Sequence, residues 1–105
     1  MKGQFYHAII SATSKREAET ILGTLLRKRL VSGGLITSGK SMHWWKGKID
    51  VEPYWNISAF TVKKHQNTVI TEVRKLHKDE TPIISFFKID YGNRDFLAWI
   101  IENTK

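Results

Sequence analysis

Cysteine is absent from the 105 residues. Disulfides, thiolate metal sites and a cysteine nucleophile are excluded with it. No apolar run approaches the roughly eighteen residues that a membrane-spanning helix needs. Met1 to Tyr6 carry one lysine and no apolar stretch, so no secretion signal is expected and a cytoplasmic location is. The patterns G-x-x-x-x-G-K-[ST], G-x-G-x-x-G and G-x-S-x-G are missing, and the glycines at 33, 34 and 39 lack phosphate-loop spacing. Acidic residues are few, ten against seventeen Lys and Arg, for a net charge of +7. Such an excess attracts anions: nucleic acid, acidic membranes, phosphorylated metabolites. The basic residues are scattered, however. Their tightest run, Arg27-Lys28-Arg29, ends a predicted helix, where cations complement the helix dipole.

What is present suffices for one domain over residues 1–105. Hydrophobic residues make up 41% and charged residues 26%, the balance of a globular chain. Phe5 to Ala12 is rich in β-branched and aromatic residues and reads as a strand. Ser14 followed by Glu17 is the capping-box pattern, in which each side chain satisfies an orphaned backbone N–H. Ala18, Ile21, Leu22, Leu25 and Leu26 then share one helical face, predicting a helix over 14–30. Val31 to Gly39 reads as an irregular extended segment with bends or bulges, and Ser41 to Trp45 as strand. Lys46-Gly47-Lys48 is a tight turn, because glycine enters positive φ without penalty. Ile49 opens the returning arm, and Trp55 to Val62 continues it. Pro53 cannot donate to a ladder and belongs at an edge, a bulge or a strand start.

Val69, Ile70, Val73 and Leu76 place a second amphipathic helix over His65–His77, broken by Thr81-Pro82. Ile83 to Tyr91 is apolar on both faces at its start and is expected to be a central strand. Gly92-Asn93 turns the chain into a short terminal helix carrying Phe96, Leu97, Trp99, Ile100 and Ile101. The order β-α-β-β-α-β with a terminal helix gives an α+β fold, a ferredoxin-like sandwich with both main helices on one face. The other face must meet solvent or a partner. Adjacent Trp44 and Trp45 on a strand point to opposite faces. One of them therefore lies outside the helix–sheet core, at an oligomer interface or over its own hairpin; the pattern favours neither.

The carboxylate pairs Asp50 with Glu52 and Asp79 with Glu80 are assigned to turns, serving solubility and turn geometry. Nothing makes a positive case for an enzyme. His7, His43, His65 and His77 are too far apart for a local H-x3-H motif. His77 with Asp79 and Glu80 is the best local cluster, so His77 and Glu80 are the candidate metal ligands, against the simpler reading of a helix C-terminus and a polar turn. The strand order is also that of RNA-recognition domains. The segment Trp55-Asn56-Ile57-Ser58-Ala59-Phe60-Thr61-Val62 lacks their aromatic motif, so nucleic acid is not the expected partner.

Four blocks in order carry a family resemblance. Ser41-Met42-His43-Trp44-Trp45-Lys46-Gly47-Lys48-Ile49 resembles the S-I-Y-x-W-x-G-K-I signature of the CutA divalent-cation tolerance family. Lys28-Arg29-Leu30 matches the family's E-R-L, His77 to Ile84 resembles H-P-Y-E-x-P-E-I, and Gly92 to Trp99 is close to G-N-x-D-Y-L-x-W. The resemblance covers nearly the whole chain. It implies a ferredoxin-like subunit in a homotrimer, similar in architecture to PII signalling proteins, in which sheets pack inward and the long central hairpin reaches a neighbour. It implies a non-enzymatic role in tolerance of copper and other divalent cations. It also allows a PII-like alternative, with a small anionic ligand in clefts between subunits.

On that basis Trp45, Gly47, Lys48, Lys63 and Lys64 are the candidates for the hairpin and intersubunit cleft. Tryptophan would anchor, glycine would turn the chain and the lysines would pair with charge. The sequence also departs from the family. Ser11 and Gly33 stand where the family often has cysteine, Ile83 where it has glutamate, and Phe60 where it has lysine. Thiolate selects Cu(I), so imidazole and carboxylate alone give a weaker, less selective site. Copper, if bound, is expected to be held weakly, and no cofactor is otherwise expected.

Overall fold

The computed structural model describes residues 4–105. The expected lack of a secretion signal rests in part on residues 1–3, outside the described residues. The elements are β1 (Phe5–Ala12), α1 (Lys15–Arg27), β2 (Gly33–Trp45), β3 (Lys48–Val62), a 3-10 turn (Lys63–His65), α2 (Gln66–Leu76), β4 (Ile84–Lys88) and α3 (Arg94–Asn103). One antiparallel sheet has the order β2-β3-β1-β4. No helix among the described residues is long and apolar enough to cross a membrane.

Register sorts the side chains into two faces. Ala8 lies between Ala59 and Phe86, and Ile10 between Ile57 and Ile84. This face is covered by Ala18, Ile21, Leu22 and Leu25 of α1 and by Val69 and Val73 of α2, all buried. The small side chains at positions 8 and 59 let the helices settle close to the strands. On the opposite face α3 covers one end. Ile100 packs with Phe5 and Val62, and Phe60 meets Phe96 edge-on with centroids 5.2 Å apart. Elsewhere on that face Leu35 and Phe87 are exposed.

Two expectations are corrected. The strand near the C-terminus is an edge strand, not a central one. It is apolar on both sides because Phe86 faces the core while Phe87 faces the uncovered side. The glycine-rich segment is no irregular stretch: β2 runs unbroken for thirteen residues from Gly33. Its glycines answer to packing. A Cβ on Gly34 would stand 2.9 Å from Leu22 and 3.1 Å from the carbonyl oxygen of Ser58, so α1 could not approach β2 this closely over a larger residue.

Past the Ser38–Trp55 pair, β2 and β3 continue together from Gly39–Tyr54 to Trp45–Lys48, with no further strand beside them among the described residues. This ribbon stretches the molecule to 44 × 25 × 21 Å and its radius of gyration to 14.2 Å. A compact chain of this length would have about 13 Å. Lys46 and Gly47, at φ 51° and 83°, form the turn. Positive φ at both central residues matches the right-handed strand twist. The ribbon is amphipathic. Met42, Trp44, Ile49 and Val51 share one face and are exposed, Trp44 at 72%. Ser41, His43, Trp45, Asp50, Glu52 and Tyr54 share the other. The two tryptophans do point to opposite faces.

Candidate functional site

The polar face of the ribbon, the end of β1 and the α2–β4 connection line a cleft of about 600 Å³. Four of the ten carboxylates of the chain lie along it: Asp50, Glu52, Asp79 and Glu80. Lys46 and Lys78 are the lysines there, so a protein of net charge +7 carries one locally acidic cleft. Asp50 and Glu52 are not in a turn, as the sequence suggested. They lie in β3, two residues apart and hence on one face, followed at the same spacing by Tyr54.

The start of α1 supports the cleft from behind, through Lys78. The Ser14 hydroxyl accepts from the Glu17 backbone N–H at 3.0 Å, the expected first half of a capping box. The second half is redirected. Glu17 Oε1 accepts from the Thr13 N–H at 2.7 Å and the Thr13 hydroxyl at 3.0 Å, while Oε2 accepts from the Lys78 N–H at 2.9 Å. Glu17 thereby ties α1 to the α2–β4 connection. Burial works against its charge. The backbone donors of Thr13 and Lys78, the Thr13 hydroxyl and nearby His77 outweigh that and hold its carboxyl below the ordinary value.

His77 ends α2, and its ring is fully buried. Nδ1 accepts from the Asp79 N–H at 3.0 Å, so the ring proton sits on Nε2, which donates to the Ser11 carbonyl at 2.6 Å. Both nitrogens are taken. Ser11 also holds Ile83: its N–H donates to the Ile83 carbonyl, and its hydroxyl accepts from the Ile83 N–H at 3.0 Å. Asp79 in turn accepts from the Tyr54 hydroxyl at 2.6 Å. Burial, that hydrogen bond and the neighbouring carboxylates push the Tyr54 hydroxyl well above its ordinary pKa, so it stays a donor.

The residues singled out from sequence are distributed as follows. Trp45 lines the cleft, Gly47 makes the turn, and Lys48 pairs with Trp45 beside it. Lys63 and Lys64 lie at the opposite end of β3 and line a second cleft, so a single chain does not bring the five together. Glu80 is exposed on the acidic cleft, whereas His77 is sealed behind it. Among the described residues, no group of three or more His, Asp or Glu is placed to hold a metal ion. Asp50, Glu52, Tyr54 and His43 went unnoticed in the sequence as a group. Their alternation along paired strands was the available signal.

A family profile described as CutA1 divalent ion tolerance protein matches residues 6–103. The divalent-cation tolerance protein CutA of Archaeoglobus fulgidus is 35% identical over 96 residues, 91% of this chain and 94% of that protein. Its counterpart in Pyrococcus horikoshii is 30% identical over 88 residues, 84% of this chain and 86% of that protein. A solved structure described as the periplasmic divalent cation tolerance protein CutA from Archaeoglobus fulgidus superposes with a TM-score of 0.94. It is 34% identical, with 96% of this chain and 99% of that chain covered.

Proposed function

Because the chain belongs to the CutA1 divalent ion tolerance family, we propose that it serves divalent-cation tolerance as a non-catalytic homotrimer that holds copper weakly. One observation carries the weak-copper reading. Of the positions where the resemblance places the family's ligand types, Ser11 and Ile83 meet at the acidic cleft, with the candidate ligand His77 sealed behind them on the Ser11 carbonyl, while Gly33 lies apart under Trp99. What they present there is a hydroxyl already accepting, an imidazole with both nitrogens engaged and an aliphatic side chain. None is a thiolate or a carboxylate, the groups that would grip a copper ion. The surrounding carboxylates still attract cations to the cleft by long-range charge.

Two exposed apolar surfaces support the trimer: the Met42, Trp44, Ile49 and Val51 face of the ribbon, and the sheet face bearing Leu35 and Phe87. A two-stranded ribbon is marginal in water without such cover. The non-catalytic reading is supported by the one serine–histidine pair in the cleft. Ser41 Oγ lies 2.8 Å from His43 Nδ1, but Glu52 stands 3.8 Å from Nε2, too far to orient the ring by a hydrogen bond.

Native mass spectrometry of the protein, titrated with Cu(II), tests this. A trimer that stays metal-free through micromolar copper is the expected result. A trimer carrying copper at submicromolar concentration, lost in H77Q, would overturn the weak-site reading. A monomer would overturn the assembly.

A further inference from the structure

His65 closes the 3-10 turn between β3 and α2 and is nine-tenths buried. Its Nε2 has no hydrogen-bond partner among the described residues. A buried polar atom left unpaired calls for an explanation. A neutral imidazole carries one proton and leaves its other nitrogen bare. An imidazolium carries a proton on each and needs two acceptors.

The segment after α3 lies against this ring. The ring is hydrogen-bonded to the Lys105 backbone. The Lys105 N–H donates to the Arg29 carbonyl at 3.1 Å, in the turn that closes α1. One residue earlier, Thr104 is buried, and its hydroxyl donates to the Ile100 carbonyl at 2.9 Å. Ile100 itself packs on Phe5 and Val62. His65 thus stands where the end of β3, the start of α2 and the end of α3 meet.

The charges around the ring oppose a second proton. Lys63 and Lys64 precede it on its own turn. The segment after α3 brings Lys105, and the close of α1 brings Arg29. α2 has no acidic residue in its first turn, and Val62 ends β3 with an apolar side chain. Glu102 is exposed and makes no ion pair with the ring. Burial and the Lys64 ammonium hold the imidazole below its ordinary value, against the Lys105 backbone, which favours the charged form.

We propose that His65 is an acid-operated latch: neutral, it holds Thr104 and Lys105 against the start of α2, and protonated, it lets them and the last turn of α3 loosen from Phe5 and Val62. A loosened segment gives both ring nitrogens access to water. Linkage sets the direction. The ring takes its proton more readily in the loosened form, so the closed form is at its strongest above the ordinary histidine value of 6.5 and loses ground as the pH falls below it. Acidity thereby sets how firmly α3 covers its end of the sheet face.

The test is amide hydrogen exchange of the ¹⁵N-labelled protein, corrected for intrinsic rates, from about pH 7.5 to about pH 5, across the ordinary histidine value. Protection of the Lys105 amide and of the last turn of α3 should fall severalfold, following the titration of the His65 ring protons. H65Q, neutral throughout, should abolish the fall, and K64Q should shrink it. H7Q, which changes a ring meeting Phe60 on the same sheet face, should leave it intact. An equal fall in H65Q, or its loss in H7Q, would overturn the latch. Should H65Q fail to fold, the parent protein decides: coincident ring and Lys105 curves support the latch, and a Lys105 amide that stays protected while the ring titrates overturns it.

Discussion

The indole of Trp99 occupies the space that a side chain at position 33 would need: a Cβ on Gly33 would stand 2.7 Å from its outer ring edge. Trp99 also meets Phe60 and stacks on Phe96, so this gap helps to seat α3 on the sheet beside the Ile100 contacts.

Replacing Gly33 by alanine should therefore lift α3 and cost about 1–3 kcal/mol, the usual penalty for overpacking. Urea unfolding at fixed protein concentration reads it. In a W99L background the same alanine should cost much less. An equal cost in both backgrounds would mean that the indole is not what excludes a side chain there.

The ribbon turn holds Lys46 in a conformation that suits asparagine better. An L-residue with a full side chain is strained at positive φ by about 1–2 kcal/mol, and asparagine recovers part of that. K46N should raise the stability by about 0.5–1 kcal/mol, since Asn-Gly is the favoured pair for this turn. G47A should lower it by about 1–2 kcal/mol, because φ of 83° is open to glycine at little cost, and nothing lies near enough to clash. Thermal melts of the two variants should move in opposite directions.

Glu17 ties stability to pH. Its folded pKa lies below the ordinary 4.5, so the folded chain binds fewer protons than the unfolded one as acid is added. The stability it supplies is complete above 4.5 and is lost as the pH falls through the folded value. E17Q places an amide donor where the carboxylate accepted, and should cost about 1–3 kcal/mol at neutral pH. The gap between E17Q and the parent should narrow in acid. A gap that stays constant with pH would remove the carboxylate charge from the account.

Trp44 should matter for assembly and little for the fold of one chain. W44E, on the exposed apolar face of the ribbon, should lower the mass measured by light scattering toward that of a single chain, with the far-ultraviolet circular dichroism retained. H43Q, on the opposite face, should leave the mass unchanged. A W44E protein of parental mass would remove this face from the interface.

The helices were legible because their signal is local. The repeat of Ala18, Ile21, Leu22 and Leu25 and the Ser14 cap place α1 almost to the residue at its start. Its end came earlier than expected, because Arg29 adopts φ 60° and closes the helix in a position where glycine is usual. The strands were harder to read. Gly33 and Gly34 look like a break in a linear reading, yet each is small because something packs on it from a different side of the sheet. Ile83 to Tyr91 reads as a central strand because apolar character does not say whether a layer covers it, and Phe87 is exposed. The acidic cleft joins β3 to residues 78–83, far apart in sequence, so only the alternation of Asp50, Glu52 and Tyr54 could have hinted at it. Lys63 and Lys64 could be named as basic residues; their separation from Lys48 follows from β3 running unbroken for fifteen residues.

The central place of β1 orders events in time. It is the first strand to be synthesised, and both of its partners come later: Phe5 waits for Val62, and Tyr6 for Lys88. The β2–β3 pairing draws on no distant stretch of chain, since its thirteen residue pairs close around Lys46 and Gly47. Closing a short loop costs less entropy than closing a long one, so the ribbon is the natural nucleus. β1 then docks as the latecomer to a hairpin already formed, and β4 seals the opposite edge. The lysine at the turn, strained in the finished molecule, thus stands at the step that sets how fast the sheet begins.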